Sequence, residues 1–230
     1  MTAGPSPLHP VEITRHGGRL ARSGDALGLT AFLVYAGALG RGIWIGTSAS
    51  DSFGAISIVG MIVVGYVLAD LISGIVHWMG DTFGTETTPI AGARFIAPFR
   101  EHHVNPTAMV EHGVLELVGN TAIVSLPAIA AVFHLAHPAD GGTGRLALST
   151  LVLATLVGTL LTNLLHRWAH VDEPPHAIAL LQRWGLVLTP EHHDRHHSEP
   201  FDRWYCITTG WADLVIERID LFRRLERFLK

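Results

Sequence analysis

Long apolar runs alternate with polar connectors along this chain. Four runs dominate, at about 26–46, 53–78, 114–136 and 146–168. Each is near the ~20 residues, or about 30 Å of helix, that the hydrocarbon core of a bilayer requires. Leu146 to Leu165 carries no charge and no histidine, whereas Arg41 interrupts the first run and Asp70 the second. A single run of this kind can be a buried core helix. Four of them leave too little amphipathic sequence to cover them, so the pattern predicts membrane spans. The stretch 1–25, with Pro5, Pro7 and Pro10, lacks the basic-then-apolar order of a signal peptide and is expected to be a polar, mobile tail. After the fourth run Pro174-Pro175 breaks the helix, and Ala177 to Leu188 alternates as an interfacial helix does. Trp211 to Lys230 reads as amphipathic, with Leu214, Ile216, Ile219, Leu221 and Leu225 set among charges. The expected fold is all-α integral membrane: one domain over 26–230, with four transmembrane helices and a cytoplasmic helical cap over 170–230.

Composition supports a lipid-facing chain. Residues are 48% hydrophobic and only 16% charged, where a soluble domain carries about a quarter charged. This balance is the opposite of the one that produces disorder. Cys206 is the single cysteine, which excludes disulfide scaffolds, Cys-rich zinc folds and iron–sulfur clusters. The net charge of -4, with no basic tract interleaved with aromatics, gives no footprint for nucleic acid. With four spans, Arg15, Arg19, Arg22, Arg94, Arg100, Arg183, Arg195, Arg203, Arg218, Arg223, Arg224, Arg227 and Lys230 share one side, against Arg41 and Arg145 on the other. The positive-inside rule makes the Arg-rich side cytoplasmic, with both termini there. The preference for Arg over Lys suggests a GC-rich bacterial genome, hence an inner membrane.

Histidine changes the picture most. There are 15 histidines against 16 Lys plus Arg. The topology, built without them, places ten on one face: His77 at the end of the second span, His102, His103 and His112 before the third, His166 and His170 at the end of the fourth, and His192, His193, His196 and His197 just after it. His166 and His170 are four apart on one helix face, with Asn163 three residues earlier. Asp70, His77 and Asp81 share a stripe of the second span, and an acid inside a membrane must pair. Asp70 is expected to accept a proton from a ligand histidine and fix its ring. His193, His196 and His197 form an H-x-x-H-H pattern that, if helical, aims two or three nitrogens at one point.

Eight or more converging imidazoles exceed what one tetrahedral zinc uses, so two metal ions are implied. Imidazole suits zinc, copper, iron and nickel alike. A proton relay or pH sensor is the other reading, but a switch needs one or two histidines. His9, His16, His134, His137 and His176 read as incidental polar anchors, and Cys206 as a small packed residue. H-E-x-x-H, G-x-S-x-G, P-loop and G-x-G-x-x-G motifs are absent. Glu173 and His176 flank Pro174-Pro175 and cannot form the helical ligand pair of carboxylate di-iron bundles.

Several boxes, in order, resemble the plasmanylethanolamine desaturase family with its Kua-type lipid desaturase domain. They are Ala69 to Trp78, Phe99 to Pro106, His166 to His170, Glu191 to His197, and Thr209-Gly210-Trp211, spread over roughly 55–215. The resemblance implies a membrane di-iron enzyme that uses O2 to convert the alkyl ether chain of plasmanylethanolamine to the vinyl ether of a plasmalogen. Implied metal ligands are His77, His102, His103, His112, His166, His170, His193, His196 and His197, with His192 as a further candidate. Asp70, Asp81 and Asn163 are implied as neighbours orienting them. The first box offers His77-x3-Asp81 where membrane desaturases carry two histidines, which leaves the role of Asp81 open. No catalytic group beyond the metals is expected.

A substrate phospholipid can keep its headgroup in water while its chain reaches the metals. Two electrons per turnover must come from outside, because neither flavin fold nor cluster cysteines are present. A ferredoxin or cytochrome b5 docking on the Arg-rich face is therefore expected. The same site admits acyl-lipid desaturation or hydroxylation. A His-rich divalent-metal transporter or sensor would want polar residues at mid-membrane on several spans, and here spans one, three and four are almost bare apart from Asn120, Thr159 and Thr162.

Overall fold

The structure is a computed structural model that describes residues 19–48 and 52–229. Every element among them is helical, and four helices are long and apolar enough to cross a membrane. These are α1 (Arg19–Ser48), α2 (Ser52–Thr82), α5 (Val114–Leu135) and α6 (Thr143–Ala169). Shorter helices α3 (Ala97–Val104) and α4 (Ala108–Glu111) fill the connector before α5, and a π-helical turn at Gly92–Ile96 leads into α3. After α6 come α7 (His176–Arg183), α8 (Pro190–His193), α9 (Asp213–Ile216) and α10 (Leu221–Leu229).

Helix α2 packs chiefly on α6 and α1 chiefly on α5, while α5 and α6 join the two pairs. Close approach of α2 and α6 depends on small residues. A Cβ at Gly65 would fall 2.7 Å from Ala154 Cβ, and one at Gly158 would fall 2.6 Å from Ala69 Cβ. Such contacts let dispersion act between backbones where lipid removes any hydrophobic drive between helices. Only 22% to 33% of the most apolar window of each long helix is buried, and Val34, Trp44, Val59, Ile62 and Val124 point outward. Hydrocarbon is the solvent that suits such a surface. Thr150, Thr155, Thr159 and Thr162 on α6 return their hydroxyl protons to carbonyls four residues back, which satisfies them within the apolar layer.

Three boundaries differ from expectation. The stretch assigned to a tail over 1–25 is helical from Arg19, because Leu20, Ala21 and the residues that follow continue the first apolar helix; residues 1–18, with His9 and His16, lie outside the described residues. The interfacial helix proposed up to Leu188 stops at Arg183, where Gly185 takes a left-handed φ of 64°. The C-terminal amphipathic stretch is two helices, since Asp220 adopts a φ of 53° between them. Helix α10 docks by stacking Phe222 on Trp78, with centroids 4.8 Å apart, and by accepting the Trp78 indole N–H on Glu226 at 2.9 Å.

Candidate metal centre

The histidines gather at one end of the helical bundle, where α2 and α6 finish and α5 begins. His77 and Asp81 lie one turn apart near the end of α2, and His166 lies in the last turn of α6, with His170 capping it. Helix α3 supplies His102 and His103; Arg100 ties it to the end of α2 by donating to the Gly84 carbonyl at 2.8 Å. Helix α8 supplies His193. It starts at Pro190 with Thr189 as N-cap, whose hydroxyl accepts from the His192 N–H at 3.2 Å. Tight turns then present His196 and His197.

These residues form two donor groups, each with its donor atoms within 4.8 Å of one another: His102, His166, His170, His193 and His197 in one, and His77, Asp81, His103 and His196 in the other. In the first group the Nε2 atoms converge. His166 Nε2 lies 2.7 Å from that of His193 and 3.0 Å from that of His102, and His197 Nε2 lies 2.8 Å from His102 and 3.0 Å from His193. The same His193 atom is 2.9 Å from His170 Nε2. A neutral imidazole has one N–H, so so many like atoms cannot all be satisfied by donating to each other. The Nδ1 atoms of His102 and His193 are buried without a hydrogen-bond partner. Converging lone pairs with no shared proton to hold them are the donor set of a cation, and imidazole nitrogen suits first-row transition metals.

The second group is mixed. Asp81 Oδ2 lies 2.9 Å from His103 Nε2 and 3.5 Å from the Nε2 atoms of both His77 and His196. The His77 and His196 Nε2 atoms are buried and lack a hydrogen-bond partner. Their Nδ1 atoms face backbone carbonyls: His77 donates to Tyr205 O at 3.1 Å and His196 to Arg203 O at 2.7 Å. A carbonyl can only accept, so the proton sits on Nδ1 and each Nε2 presents a lone pair. The two groups are neighbours, with the rings of His103 and His197 5.4 Å apart and those of His77 and His166 5.9 Å apart.

Burial, followed by neighbouring imidazoles, lowers the pKa of His102 and His193 well below that of an ordinary histidine. The same causes push His170 down to about 4 and His197 to about 3. These rings are neutral near pH 7, the form that binds metal. A cleft of about 400 Å³, lined by Thr107, Val110, Glu111, Val171, Asp172 and Glu173, opens beside His170.

Four expected site residues face elsewhere. His112 pairs with Glu116 at 3.1 Å through Nδ1, because α5 begins just after it and carries Glu116 one turn on. His192 points away from His193 and meets Asp213 at 2.9 Å. Asn163 donates to the Leu117 carbonyl at 2.9 Å and so joins α6 to α5. Asp70 touches no imidazole; its carboxylate accepts the backbone N–H groups of Thr208, Thr209, Gly210 and Ala212. The role of segment 203–213, whose carbonyls hold His77 and His196, is not legible from residue types, since any residue has a carbonyl; the box Thr209-Gly210-Trp211 marks the segment in the sequence without saying what it does.

Comparison with known proteins decides the lineage. The lipid desaturase domain model matches residues 66–230, which include both donor groups. The chain belongs to the lipid desaturase family. A plasmanylethanolamine desaturase of Myxococcus xanthus is 39% identical over 168 residues, 73% of this chain and 59% of that protein. Plasmanylethanolamine desaturase 1 of Mus musculus is 36% identical over 173 residues, 74% of this chain and 64% of that protein. A probable fatty acid desaturase of Acanthamoeba polyphaga mimivirus is 32% identical over 171 residues, 74% of this chain and 80% of that protein. The chain thus spans about six-tenths of the length of the first two relatives. No solved structure matches. Family and helices together make it an integral membrane protein of the lipid desaturases.

Proposed function

We propose that this chain is a membrane di-iron, O2-dependent lipid desaturase that converts the alkyl ether chain of plasmanylethanolamine to the vinyl ether of a plasmalogen. The observation that carries the reading is the pair of adjacent donor groups at one end of a lipid-facing bundle. A pair of bound metals with dioxygen supplies the oxidising power to remove two hydrogens from an unactivated chain, which no side chain can do. The overall balance takes one O2, two electrons and two protons and releases two waters. Two relatives named for this activity support the ether substrate.

In this reading His102, His166, His170, His193 and His197 hold one iron, and His77, Asp81, His103 and His196 the other. The protein's remaining work is to position the chain and exclude water. Burial of His77, His166, His193 and His196 keeps bulk water from the donor atoms. The domain is one unit that includes the whole of α1 from Arg19, with both termini and the site on the cytoplasmic side of a bacterial inner membrane, as the Arg count argues. A ferredoxin or cytochrome b5 delivers electrons at that face. Acyl-chain desaturation is the second reading, favoured by the mimivirus relative, of whose length 80% is matched.

The test is lipidomic. Cells fed alkyl-ether phospholipid and expressing the chain are expected to accumulate acid-labile vinyl ethers, and those expressing His196→Ala are not. A new acyl double bond in place of the vinyl ether transfers the reading to acyl lipids. No change in either lipid class contradicts lipid desaturation by this chain.

A further inference from the structure

Asp70 is fully buried on α2, two turns before His77. Its Oδ1 accepts from the N–H groups of Thr208 at 3.2 Å, Thr209 at 2.7 Å and Gly210 at 3.0 Å, and its Oδ2 from Ala212 at 2.9 Å. A buried carboxylate is costly unless charge-assisted hydrogen bonds replace its water. Four fixed backbone donors do so here. Gly210 turns the chain with a φ of 79°, and a Cβ on it would fall 2.3 Å from His192 Nε2.

The same segment is fastened along its length. Ile207 donates to Ser73 Oγ at 3.0 Å, Cys206 to the buried Asp213 carboxylate at 3.2 Å, and Thr208 Oγ1 lies 2.8 Å from Thr162 Oγ1 on α6. Trp204 holds a left-handed φ of 61°, a conformation unfavourable for a non-glycine residue that persists only where surroundings impose it. Its N–H donates to Glu217 Oε1 at 3.1 Å. On either side of Trp204 are the carbonyls of Arg203 and Tyr205 that take the Nδ1 protons of His196 and His77. In the other donor group the Nδ1 atoms of His102 and His193 have no hydrogen-bond partner, as is also true of His103 beside Asp81, so within the Asp81 group it is His77 and His196 that the segment supports.

We propose that Asp70 is a positioning residue for His77 and His196, acting through the backbone of residues 203–212 to fix the tautomer and orientation of both rings. The inference rests on the metal-binding reading above and deepens it, because it makes the two donor groups unequal. Without the Asp70 carboxylate the carbonyls of Arg203 and Tyr205 lose their placement, and only the group containing Asp81 suffers. Loss of a partner that orients a ligand typically costs about 10–100-fold in metal affinity.

The experiment titrates the full chain, metal-free in lipid nanodiscs, with anaerobic 57Fe(II), and reads iron bound per chain and the Mössbauer spectrum. Variants are Asp70→Asn, which turns an amide N–H2 toward the Ala212 donor, and Ser73→Ala, which removes the acceptor for Ile207 together with the hydroxyl's own donation to the Asp70 backbone carbonyl and leaves the carboxylate in place. Asp70→Asn is expected to weaken one of two iron sites about 10–100-fold and change its quadrupole doublet, leaving the other at wild-type affinity. Ser73→Ala is expected to shift the same doublet by a smaller loss, and it decides the matter if Asp70→Asn does not fold. Two sites retained at wild-type affinity and spectrum, or both weakened equally in a folded variant, overturn the proposal. Wild-type protein that binds no iron pair overturns the metal reading itself and the proposal with it.

Discussion

Truncating Phe222 isolates how the last helix is held against the site. The ring is 4% exposed, stacks on Trp78 at an interplanar angle of 13°, and meets the Tyr205 ring edge-on at 5.5 Å. Phe→Ala in an enclosed core costs about 3–5 kcal/mol, and this cluster at the edge of the bundle belongs near 3. The change touches neither partner of the Glu226–Trp78 hydrogen bond, so the loss is expected to fall on packing. About 3 kcal/mol corresponds to a 100–200-fold rise in the opening equilibrium of α10. Hydrogen exchange in nanodiscs is the assay. Amides of Arg224 to Leu229 are expected to exchange about 100-fold faster in Phe222→Ala, with those of α6 unchanged. Equal protection of α10 in both proteins would refute the docking argument, and loss of protection across α6 would show that α10 is not a separable unit.

Other outcomes follow from the same contacts. Gly158→Ala drives a Cβ to 2.6 Å from that of Ala69 and is expected to destabilise α2–α6 packing by about 1–3 kcal/mol, whereas Gly60→Ala, with nothing within 4 Å, is expected to be neutral or slightly stabilising. Denaturation in mixed micelles checks the pair, and equal effects would contradict the interface. His193→Ala is expected to remove one metal site, while His192→Ala keeps both metals and lowers the thermal midpoint, because it strips the buried Asp213 of its imidazole partner; metal analysis reversing that pattern would be decisive against it. In metal-free protein the pKa of His170 is lowered to about 4 and that of His197 to about 3, mainly by burial. An unfolded chain takes up these protons below about 6.5, before the folded one does, so stability is full above that pH and falls as pH drops toward 4. A midpoint that is flat or rises between pH 7 and pH 4.5 would contradict this.

What was legible in the sequence depended on helical period. His77 and Asp81, and His166 and His170, share faces because four residues make about one turn, and both pairs arrive at the site together. The four spans were legible because hydrocarbon demands unbroken apolar runs. Partition between two groups was not. His102 and His103 are consecutive on α3, so their side chains diverge by about 100° and enter different groups. His193 and His197 go to one group and His196 to the other, because α8 ends at His193 and the H-x-x-H-H pattern is not one helix face. Asp70 was expected beside a histidine, as an intramembrane acid needs a partner. Backbone N–H groups serve as well, and they come from a segment more than 130 residues later that residue types do not reveal.

In the proposed function each of the two adjacent donor groups, one of five imidazoles and one of three with a carboxylate, holds an iron. Iron content per chain on protein purified anaerobically, with the His166→Ala and His103→Ala variants alongside, tests it most directly. About two irons are expected in the wild type and about one in each variant, with different Mössbauer doublets lost. One iron or none per wild-type chain, or zinc as the sole stoichiometric metal, would contradict it.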